Sequence, residues 1–250
     1  MIKAFVVVSL TWWLILFPSA GMTQEGKSTK LNYVGITAGG AFPEDLESSE
    51  RTLFHTSLPD ANLSDALMLG VRLGYTPQMW YKMSPIVVEL EASMITKTDA
   101  KSANYVFNPV GSSVTFATDI FVRDIMLNFL LRHPYGRVHP FAGFGLGWTW
   151  FDIENARLIL EPGFTWPGTA SGVNNQGDLS DDAFGYQFLL GVSFDLTDTV
   201  SLDLGYRYFQ TEPEFKFRQA AYTEFEAPVD LNVKMTYKTH VIGFGLSLWF

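Results

Sequence analysis

The chain ends in the stretch VIGFGLSLWF, residues 241–250, in which the two faces of an extended strand differ sharply. The even positions, from Ile242 to Phe250, are all large and apolar. The odd positions between Val241 and Trp249 are glycine or serine. Because successive side chains of a β-strand point to opposite faces, this alternation predicts a strand with one apolar face and one face of mainly small residues.

Seven further segments alternate in the same way, each close to the roughly 9–11 residues that a tilted membrane strand needs. The predicted strands occupy residues 31–42, 67–75, 86–94, 124–132, 142–150, 184–195, 202–208 and 241–250.

The glycines decide which face of each strand points inward. Apart from Gly40, nearly every strand glycine lies opposite the large apolar side chains, on the face that also carries the charges. Glycines with a few charges of both signs make a poor solvent-exposed surface but suit the crowded interior of a narrow barrel. The pattern therefore predicts an all-β, eight-stranded antiparallel up-and-down transmembrane barrel. A soluble barrel with its apolar face inward is the alternative.

The predicted connections alternate between short and long, as they do in outer-membrane barrels. An even number of strands places both termini at the periplasmic end and the four long loops outside the cell. The short connections are residues 76–84, 133–136 and 196–199, and the long ones are residues 43–64, 96–112, 153–182 and 210–236.

The N-terminus has the pattern of a secretory signal peptide: a basic start at Lys3, an apolar run to Phe17 and small residues after it. We expect a cleaved signal peptide over residues 1–21 and a barrel domain over residues 22–250, with an uncleaved anchor as the alternative. Loss of Lys3 leaves 16 basic and 26 acidic residues and moves the net charge from −9 to −10. An acidic chain disfavours nucleic acid as a partner.

The chain contains no cysteine, which excludes disulfides, cysteine metal ligands and cysteine nucleophiles. After the predicted signal peptide no apolar run approaches the roughly 20 residues of a membrane helix. Stability is therefore expected to come from the strands alone.

Residues 123–153 read RDIMLNFLLRHPYGRVHPFAGFGLGWTWFDI and resemble the central hairpin of the small outer-membrane barrel proteins related to OmpA, OmpX and the opacity proteins. In that family a strand ends in an arginine-containing turn and leads into a Pro-aromatic-x-Gly-x-Gly-x-Gly strand. The resemblance implies insertion into a bacterial outer membrane. The alternation over Phe244, Leu246, Leu248 and Phe250 is similar to the C-terminal signal that the barrel-assembly machinery reads.

Charged residues on the predicted inward face form the candidate site. Buried charges that lack a partner cost several kcal/mol each, so we expect them to form an ion-pair network that fills the lumen. A gated narrow pore is the alternative. The predicted network consists of Arg72, Glu89, Glu91, Asp124, Arg132, Asp203 and Arg207.

No catalytic or metal-binding pattern emerges from the remaining residues. His240 is predicted to face lipid near the outer rim, with Glu212 as a possible neighbour, but no nucleophile accompanies it. His133 and His139 are interpreted as solvated turn residues rather than a zinc site. The acidic cluster at residues 178–182 does not match a calcium loop. We therefore expect no enzymatic activity, metal or cofactor.

The aromatic residues near the strand ends are interpreted as interfacial girdles. One girdle is predicted at the periplasmic end and the other farther along the strands. The residues assigned to them are Tyr75, Trp80, Tyr81, Tyr135, Trp148, Trp150, Tyr186, Tyr208, Trp249 and Phe250.

These observations favour a structural or surface-interaction role, adhesin-like, carried by the long loops. Expected partners are outer-membrane lipid, lipopolysaccharide, the barrel-assembly machinery and an unidentified surface ligand. A narrow pore for ions or small solutes and a lipid A-modifying enzyme are the alternatives.

Overall fold

The computed structural model describes residues 31–45, 47–48, 61–77, 86–102, 105–107, 112–160, 173–219 and 229–250. The predicted signal peptide, residues 78–84 and parts of the four long connections lie outside these ranges. The strands are β1 (Asn32–Pro43), β2 (Glu47–Ser48), β3 (Ala61–Leu63), β4 (Ala66–Tyr75), β5 (Ile86–Ser102), β6 (Tyr105–Phe107), β7 (Ser112–Arg132), β8 (Val138–Leu160), β9 (Val173–Asp195), β10 (Val200–Thr211), β11 (Glu214–Gln219) and β12 (Val229–Trp249). Within this described part, no helical segment has the length and hydropathy needed to cross a bilayer.

Eight of these strands close into an antiparallel barrel in the order β1, β4, β5, β7, β8, β9, β10 and β12. The last strand pairs with the first, with Val34 opposite Leu248 and Ala41 opposite Val241. Asn32 and Phe250 exchange two backbone hydrogen bonds, of 3.3 and 2.9 Å, at the end of this seam. The prediction of an eight-stranded up-and-down barrel is confirmed.

The two faces of the barrel wall also agree with the sequence. Large apolar side chains point outward, and Ile36 and Ile242 are 60% and 63% exposed. On the inner face the charged residues Glu89 and Glu91 are 1% and 0% exposed. In a soluble protein the apolar side chains lie inside and the charged ones outside. The reverse arrangement here fits a membrane barrel, because lipid surrounds the apolar outer face and charged groups in the lumen are stable only when they are paired.

The predicted bounds of three long loops are wrong, because strands occupy much of each segment. In the segment 96–112, β5 runs to Ser102 and β7 begins at Ser112; in 153–182, β8 runs to Leu160 and β9 begins at Val173. In 210–236, β11 forms and β12 begins at Val229. The fourth segment, 43–64, contains the short strands β2 and β3.

In the segments 96–112 and 153–182, register shifts explain why the sequence pattern ended too early. The pairing shifts between Ile95 and Thr98, between Ala117 and Asp119, and between Ile153 and Ala156. A bulge inserts a residue and reverses which side chains face inward, so a period-two reading loses its phase there even though the backbone pairing continues.

The strands consequently extend well beyond a bilayer. β8 and β9 each contain 23 residues. At about 3.3 Å per residue and a tilt of about 40°, such a strand rises nearly 60 Å, against an apolar band of about 25 Å. The β8–β9 hairpin therefore extends well outside the apolar band, chiefly at the end of the barrel that carries the long connections (the long-loop end).

At the opposite end of the barrel, called the short-turn end, two of the predicted short connections join neighbouring strands. The turn at residues 133–137 contains Gly136 with a φ of 82°, a left-handed conformation that favours glycine. The turn at 196–199 is closed by a 2.9 Å hydrogen bond from the Leu196 amide to the Val200 carbonyl. Both predicted turns are confirmed.

Glycine-to-alanine substitutions test how tightly the lumen is packed. A Cβ at Gly147 would lie 2.1 Å from the Ile125 carbonyl oxygen, whereas the nearest atom to a Cβ at Gly205 is 3.6 Å away. We expect Gly147→Ala to destabilise the barrel by about 1–3 kcal/mol through overpacking. Gly205→Ala should be neutral or stabilising by up to about 1 kcal/mol, because alanine loses less backbone entropy on folding.

Urea unfolding of the refolded protein in detergent micelles, followed by tryptophan fluorescence, measures both effects. Equal stability of the two variants would contradict the packing described for the inner wall.

Candidate functional site

The candidate site is a set of charged side chains that four strands direct into the lumen. Arg72 comes from β4, Glu89 and Glu91 from β5, and Asp124 from β7. Asp203 and Arg207 come from β10. Each is at most 9% exposed, so each needs a partner inside the barrel.

Arg72 joins two of the acids. Its Nη2 atom lies 2.6 Å from Asp203 Oδ2, and its Nη1 atom lies 3.6 Å from Glu89 Oε2. Ser247 donates a 2.8 Å hydrogen bond to Asp203, and the Tyr33 hydroxyl donates one to Glu89. Both acids are therefore held by a cation and by a neutral donor from another strand.

Arg207 forms the second half of the network. It pairs with Glu91 and donates a 3.3 Å hydrogen bond to Ser93 Oγ. Ser93 in turn donates to both carboxylate oxygens of Asp124, at 2.9 and 2.8 Å. Asp124 is thus linked to Arg207 through a hydroxyl.

Amide side chains connect the two halves. Asn128 Nδ2 donates to Glu89 Oε1 at 2.8 Å and to Glu91 Oε2 at 3.1 Å. Gln187 Nε2 donates to Asn128 Oδ1 at 2.6 Å. We call the charged residues of both halves, with these two amides, Ser93 and Tyr33, the central network. It ties β1, β4, β5, β7, β9 and β10 together across the lumen.

Arg132 lies apart from the central network, toward the short-turn end. Its guanidinium lies 4.3 Å from the centroid of the Trp249 ring and 3.8 Å from Asp195 Oδ1. His139 is also at this end and is only 6% exposed. Its ring nitrogens lie 3.0 Å from Asp195 Oδ2 and 2.8 Å from the His133 carbonyl oxygen. The interpretation of His139 as a solvated turn residue is therefore wrong.

Trp249 does not belong to the aromatic girdle that was predicted at the periplasmic end. Its ring lies inside the barrel, 4.5 Å from the Tyr33 ring, and its Nε1 donates a 2.8 Å hydrogen bond to Ser201 Oγ. The odd phase of residues 241–249 already pointed Trp249 inward; the aromatic-girdle argument misplaced it. Trp80 and Tyr81 lie outside the described residues.

An apolar layer, which the sequence analysis missed, fills the lumen between the central network and the long-loop end. Its aromatic members pack edge to face: the Phe151 ring lies 5.4 Å from Tyr237 and 6.4 Å from Phe215. Phe209 contacts Tyr237 at 6.3 Å. Most of these residues lie in segments that were predicted to be loops or just beyond the ends of the predicted strands. The sequence pattern therefore did not predict that their side chains point inward. The buried members include Met68, Ile95, Ile120, Val122, Met126, Phe151, Ile153, Phe209, Phe215, Met235, Tyr237 and Val241.

Little space is left beside the central network. A cavity of about 60 Å³ is lined by Thr37, Arg72, Glu89, Glu91 and Arg207, with further neighbours on β8, β9 and β12. This cavity is small beside the roughly 300–1,000 Å³ of a ligand pocket. Charged side chains and their partners occupy the lumen at this level.

The outward polar residues near the long-loop end pair with one another. His240 contacts Glu44 and Tyr206, whereas Glu212, its predicted neighbour, pairs with Lys234 at 2.7 Å. The hydrogen bond from Lys234 to Glu212, together with the nearby negative charge, raises the pKa of the lysine. The expected proximity of His240 and Glu212 is therefore wrong.

The remaining predicted positions are placed as follows. Phe244, Leu246, Leu248 and Phe250 all face outward and are 43–65% exposed. Asp181 accepts a hydrogen bond from the Glu214 amide and Asp182 one from Trp148 Nε1, so both carboxylates bind neighbouring strands. Among the described residues, no three His, Asp or Glu side chains are grouped as metal ligands would be.

Comparison with known proteins agrees with the geometry. The family model "Outer membrane protein beta-barrel domain" matches residues 14–250. The outer membrane protein OprG from Pseudomonas aeruginosa is 14% identical, with a TM-score of 0.55 over 89% of this chain and 99% of that one. The outer membrane protein AlkL is 14% identical, with a TM-score of 0.51 over 94% and 97%. At this identity the two structures support the fold alone. No curated protein matches the sequence.

Removal of Arg207 tests the central network. Arg207→Ala strands the fully buried carboxylate of Glu91, and we expect a loss of about 3–5 kcal/mol in the free energy of unfolding. The double variant Arg207→Met with Glu91→Met removes both charges and should regain more than half of that loss.

Arg123→Ala is the matched control, because Arg123 also pairs with an acid, Asp152, but on the exposed outer face. It should cost at most about 1 kcal/mol. Urea unfolding of the refolded variants gives these values, and a small effect of Arg207→Ala would contradict a structural role for the network.

Proposed function

Since the chain belongs to the outer-membrane β-barrel protein family, we propose that it is a sealed barrel that acts at the cell surface through its external hairpins. The carrying observation is the occupied lumen: among the described residues, the central network and the apolar layer fill it, and the cavity found beside the charges is about 60 Å³. A barrel filled in this way is suited to anchoring a surface structure in the Gram-negative outer membrane rather than to conducting solutes.

The proposed orientation places the long-loop end outside the cell and both termini in the periplasm. The short turns at residues 133–137 and 196–199 support it, because outer-membrane barrels have short periplasmic turns and long external connections. The seam between Asn32 and Phe250 lies at the same end as these turns.

The external part is built for presentation rather than for flexibility. β8 and β9 continue their pairing to Ile159 and Val173, far past the outward apolar residues of the same strands. A paired hairpin loses less conformational entropy on binding than a free loop of equal length, which favours recognition of a surface partner. The proposed partners are a macromolecule at the cell surface, the surrounding outer-membrane lipid and, through Phe244 to Phe250, the barrel-assembly machinery.

The two alternatives have less support. A narrow pore would require Arg207 to leave Glu91 and the ring of Phe209 to leave Tyr237, at the cost of exposing buried charges and rings. A lipid A-modifying enzyme would require a nucleophile beside His240. Both ring nitrogens of His240 are instead engaged by Tyr206 and Glu44.

Planar-bilayer recording tests the sealed lumen directly. Refolded protein that shows the heat-dependent gel shift of a folded barrel should give no discrete current steps, because paired charges and packed rings fill the lumen. An open porin refolded in the same detergent serves as the positive control. Reproducible single-channel openings would instead favour the pore.

Single cysteines test the orientation cleanly, because the chain contains none. Glu154 on β8 and Asp198 in a short turn are both exposed and lie at opposite ends of the barrel. A membrane-impermeant maleimide should label Glu154→Cys on intact cells and Asp198→Cys only after the outer membrane is permeabilised. The reverse result would place the long-loop end in the periplasm.

A further inference from the structure

The ring of His139 is enclosed at the short-turn end of the lumen, near the start of β8, where it is only 6% exposed. Its Nε2 atom lies 3.0 Å from Asp195 Oδ2, and its Nδ1 atom lies 2.8 Å from the backbone carbonyl oxygen of His133. Both ring nitrogens are therefore within hydrogen-bonding distance of an oxygen. One oxygen comes from the end of β9 and the other from the turn at residues 133–137.

The two partners of His139 accept hydrogen bonds and do not donate them. A backbone carbonyl carries no hydrogen to donate, and an ionised carboxylate is also an acceptor only. A neutral imidazole has one N–H group and one bare nitrogen, so it satisfies only one of the two oxygens. The other oxygen would face a nitrogen lone pair in a buried site, where an unmade hydrogen bond is costly. Only the doubly protonated ring donates to both partners.

The outward-facing His240 does not impose the same requirement. Its ring is also held at both nitrogens, by Glu44 Oε1 at 2.9 Å and by the Tyr206 hydroxyl at 2.6 Å. A hydroxyl both donates and accepts, so a neutral ring can donate to Glu44 and accept from Tyr206. The need for a second proton at His139 therefore comes from the carbonyl oxygen on Nδ1, and not from a neighbouring carboxylate alone.

The charges around His139 are compatible with a positive ring. Asp195 places one carboxylate oxygen beside His139 and the other 3.8 Å from Arg132 Nη2. Because Arg132 stabilises the negative charge of Asp195, the proton of the pair resides on the imidazole. The other charged or titratable side chains on the described elements around this pair lie in the two turns or beyond Arg132. They are Tyr33, Arg72, His133, Tyr135, Arg137, Asp198 and Asp203.

The contacts of His139 join distant parts of the short-turn end. The His133 carbonyl belongs to the turn between β7 and β8, whereas Asp195 ends β9. Through Arg132, whose guanidinium lies 4.3 Å from the centroid of the Trp249 ring, the same carboxylate is linked to β12. We call His139, Asp195, Arg132 and Trp249 the mouth latch. It connects the middle of the sheet to the strand that closes the barrel.

We propose that His139 is a proton-binding site of the folded barrel, doubly protonated at neutral pH, and that the bound proton stabilises the mouth latch. Loss of this proton removes one N–H donor, so either the His133 carbonyl or the Asp195 carboxylate loses its hydrogen bond. Since the folded site holds the proton more tightly than the solvated ring of the unfolded chain, the stabilisation is present on the acid side and decreases as the pH rises. The inference is independent of the proposed orientation and surface role.

Nitrogen NMR of the histidine rings in the folded, full-length protein in detergent micelles reports the protonation directly. The chain contains four histidines, and the signals of His139 are assigned by their loss in His139→Gln or by elimination with variants of the others. We expect both ring nitrogens of His139 to carry hydrogen at about pH 7. A bare nitrogen on this ring at that pH would overturn the proposal, whether or not any variant folds.

Urea unfolding at about pH 6 and about pH 9 tests the latch. At the lower pH, His139→Gln should raise the unfolding equilibrium constant at least about tenfold, because it removes a charge-assisted hydrogen bond to Asp195. At the higher pH, the ratio between variant and native protein should fall to less than about half of that value. Comparison with the native protein at each pH cancels the titration of the other acids. An equal ratio at both pH values contradicts a proton-stabilised latch.

His133→Gln is the matched control, because it removes a histidine ring from the neighbouring turn but keeps the backbone carbonyl that faces His139. The His133 ring is exposed and lies 5.7 Å from the Tyr135 ring. Its unfolding equilibrium constant should stay within about threefold of the native value at both pH values. A tenfold effect of this control at the lower pH would overturn the assignment to His139. The heat-dependent gel shift verifies that each variant is folded.

Discussion

The seam between β1 and β12 is the interaction on which the rest of the structure depends. Hydrocarbon offers no partner for a backbone amide or carbonyl, so a sheet survives there only when its two edges pair with each other. The register from Tyr33–Trp249 to Pro43–Thr239 provides this closure over eleven residue pairs. Once the sheet is closed with eight strands, the lumen is narrow, and its width dictates which side chains can face inward.

The narrow lumen explains the composition of the inner wall. Inward-facing glycines leave space in the lumen for large side chains from neighbouring strands, so a few long polar side chains can meet at the centre. Arg72 and Arg207 reach acids on other strands, and Asn128 and Gln187 satisfy the remaining oxygens. Above them the Phe151, Phe209 and Tyr237 rings replace charges with apolar contacts. These two layers fill the lumen, which is the reason for proposing that the protein acts through its outer surface.

The long-loop end differs from the expectation of four long loops on a short barrel. Paired strands carry the wall past the apolar belt, and register shifts with extra residues on β5, β8 and β9 mark the transition. At this level the outward residues become polar and pair laterally, as in Lys97 with Asp119 and Glu44 with His240. The long-loop end therefore presents outward side chains that already hold one another in place, which lowers the entropic cost of binding a partner there.

The amino-acid sequence by itself determined the strand number, the inward and outward faces and the two short turns, because alternation and turn residues are local properties that need no knowledge of neighbours. It also identified the charges that enter the lumen. Only the tertiary structure decided which of them meet: Arg132 leaves the central network for Trp249 and Asp195, His139 is buried, and His240 takes Glu44 rather than Glu212. Such pairings depend on shear and tilt around a closed barrel, which bring together residues far apart in the chain. The full length of β5, β8 and β9 was likewise hidden, since a bulge reverses the period-two phase while the backbone hydrogen bonds continue.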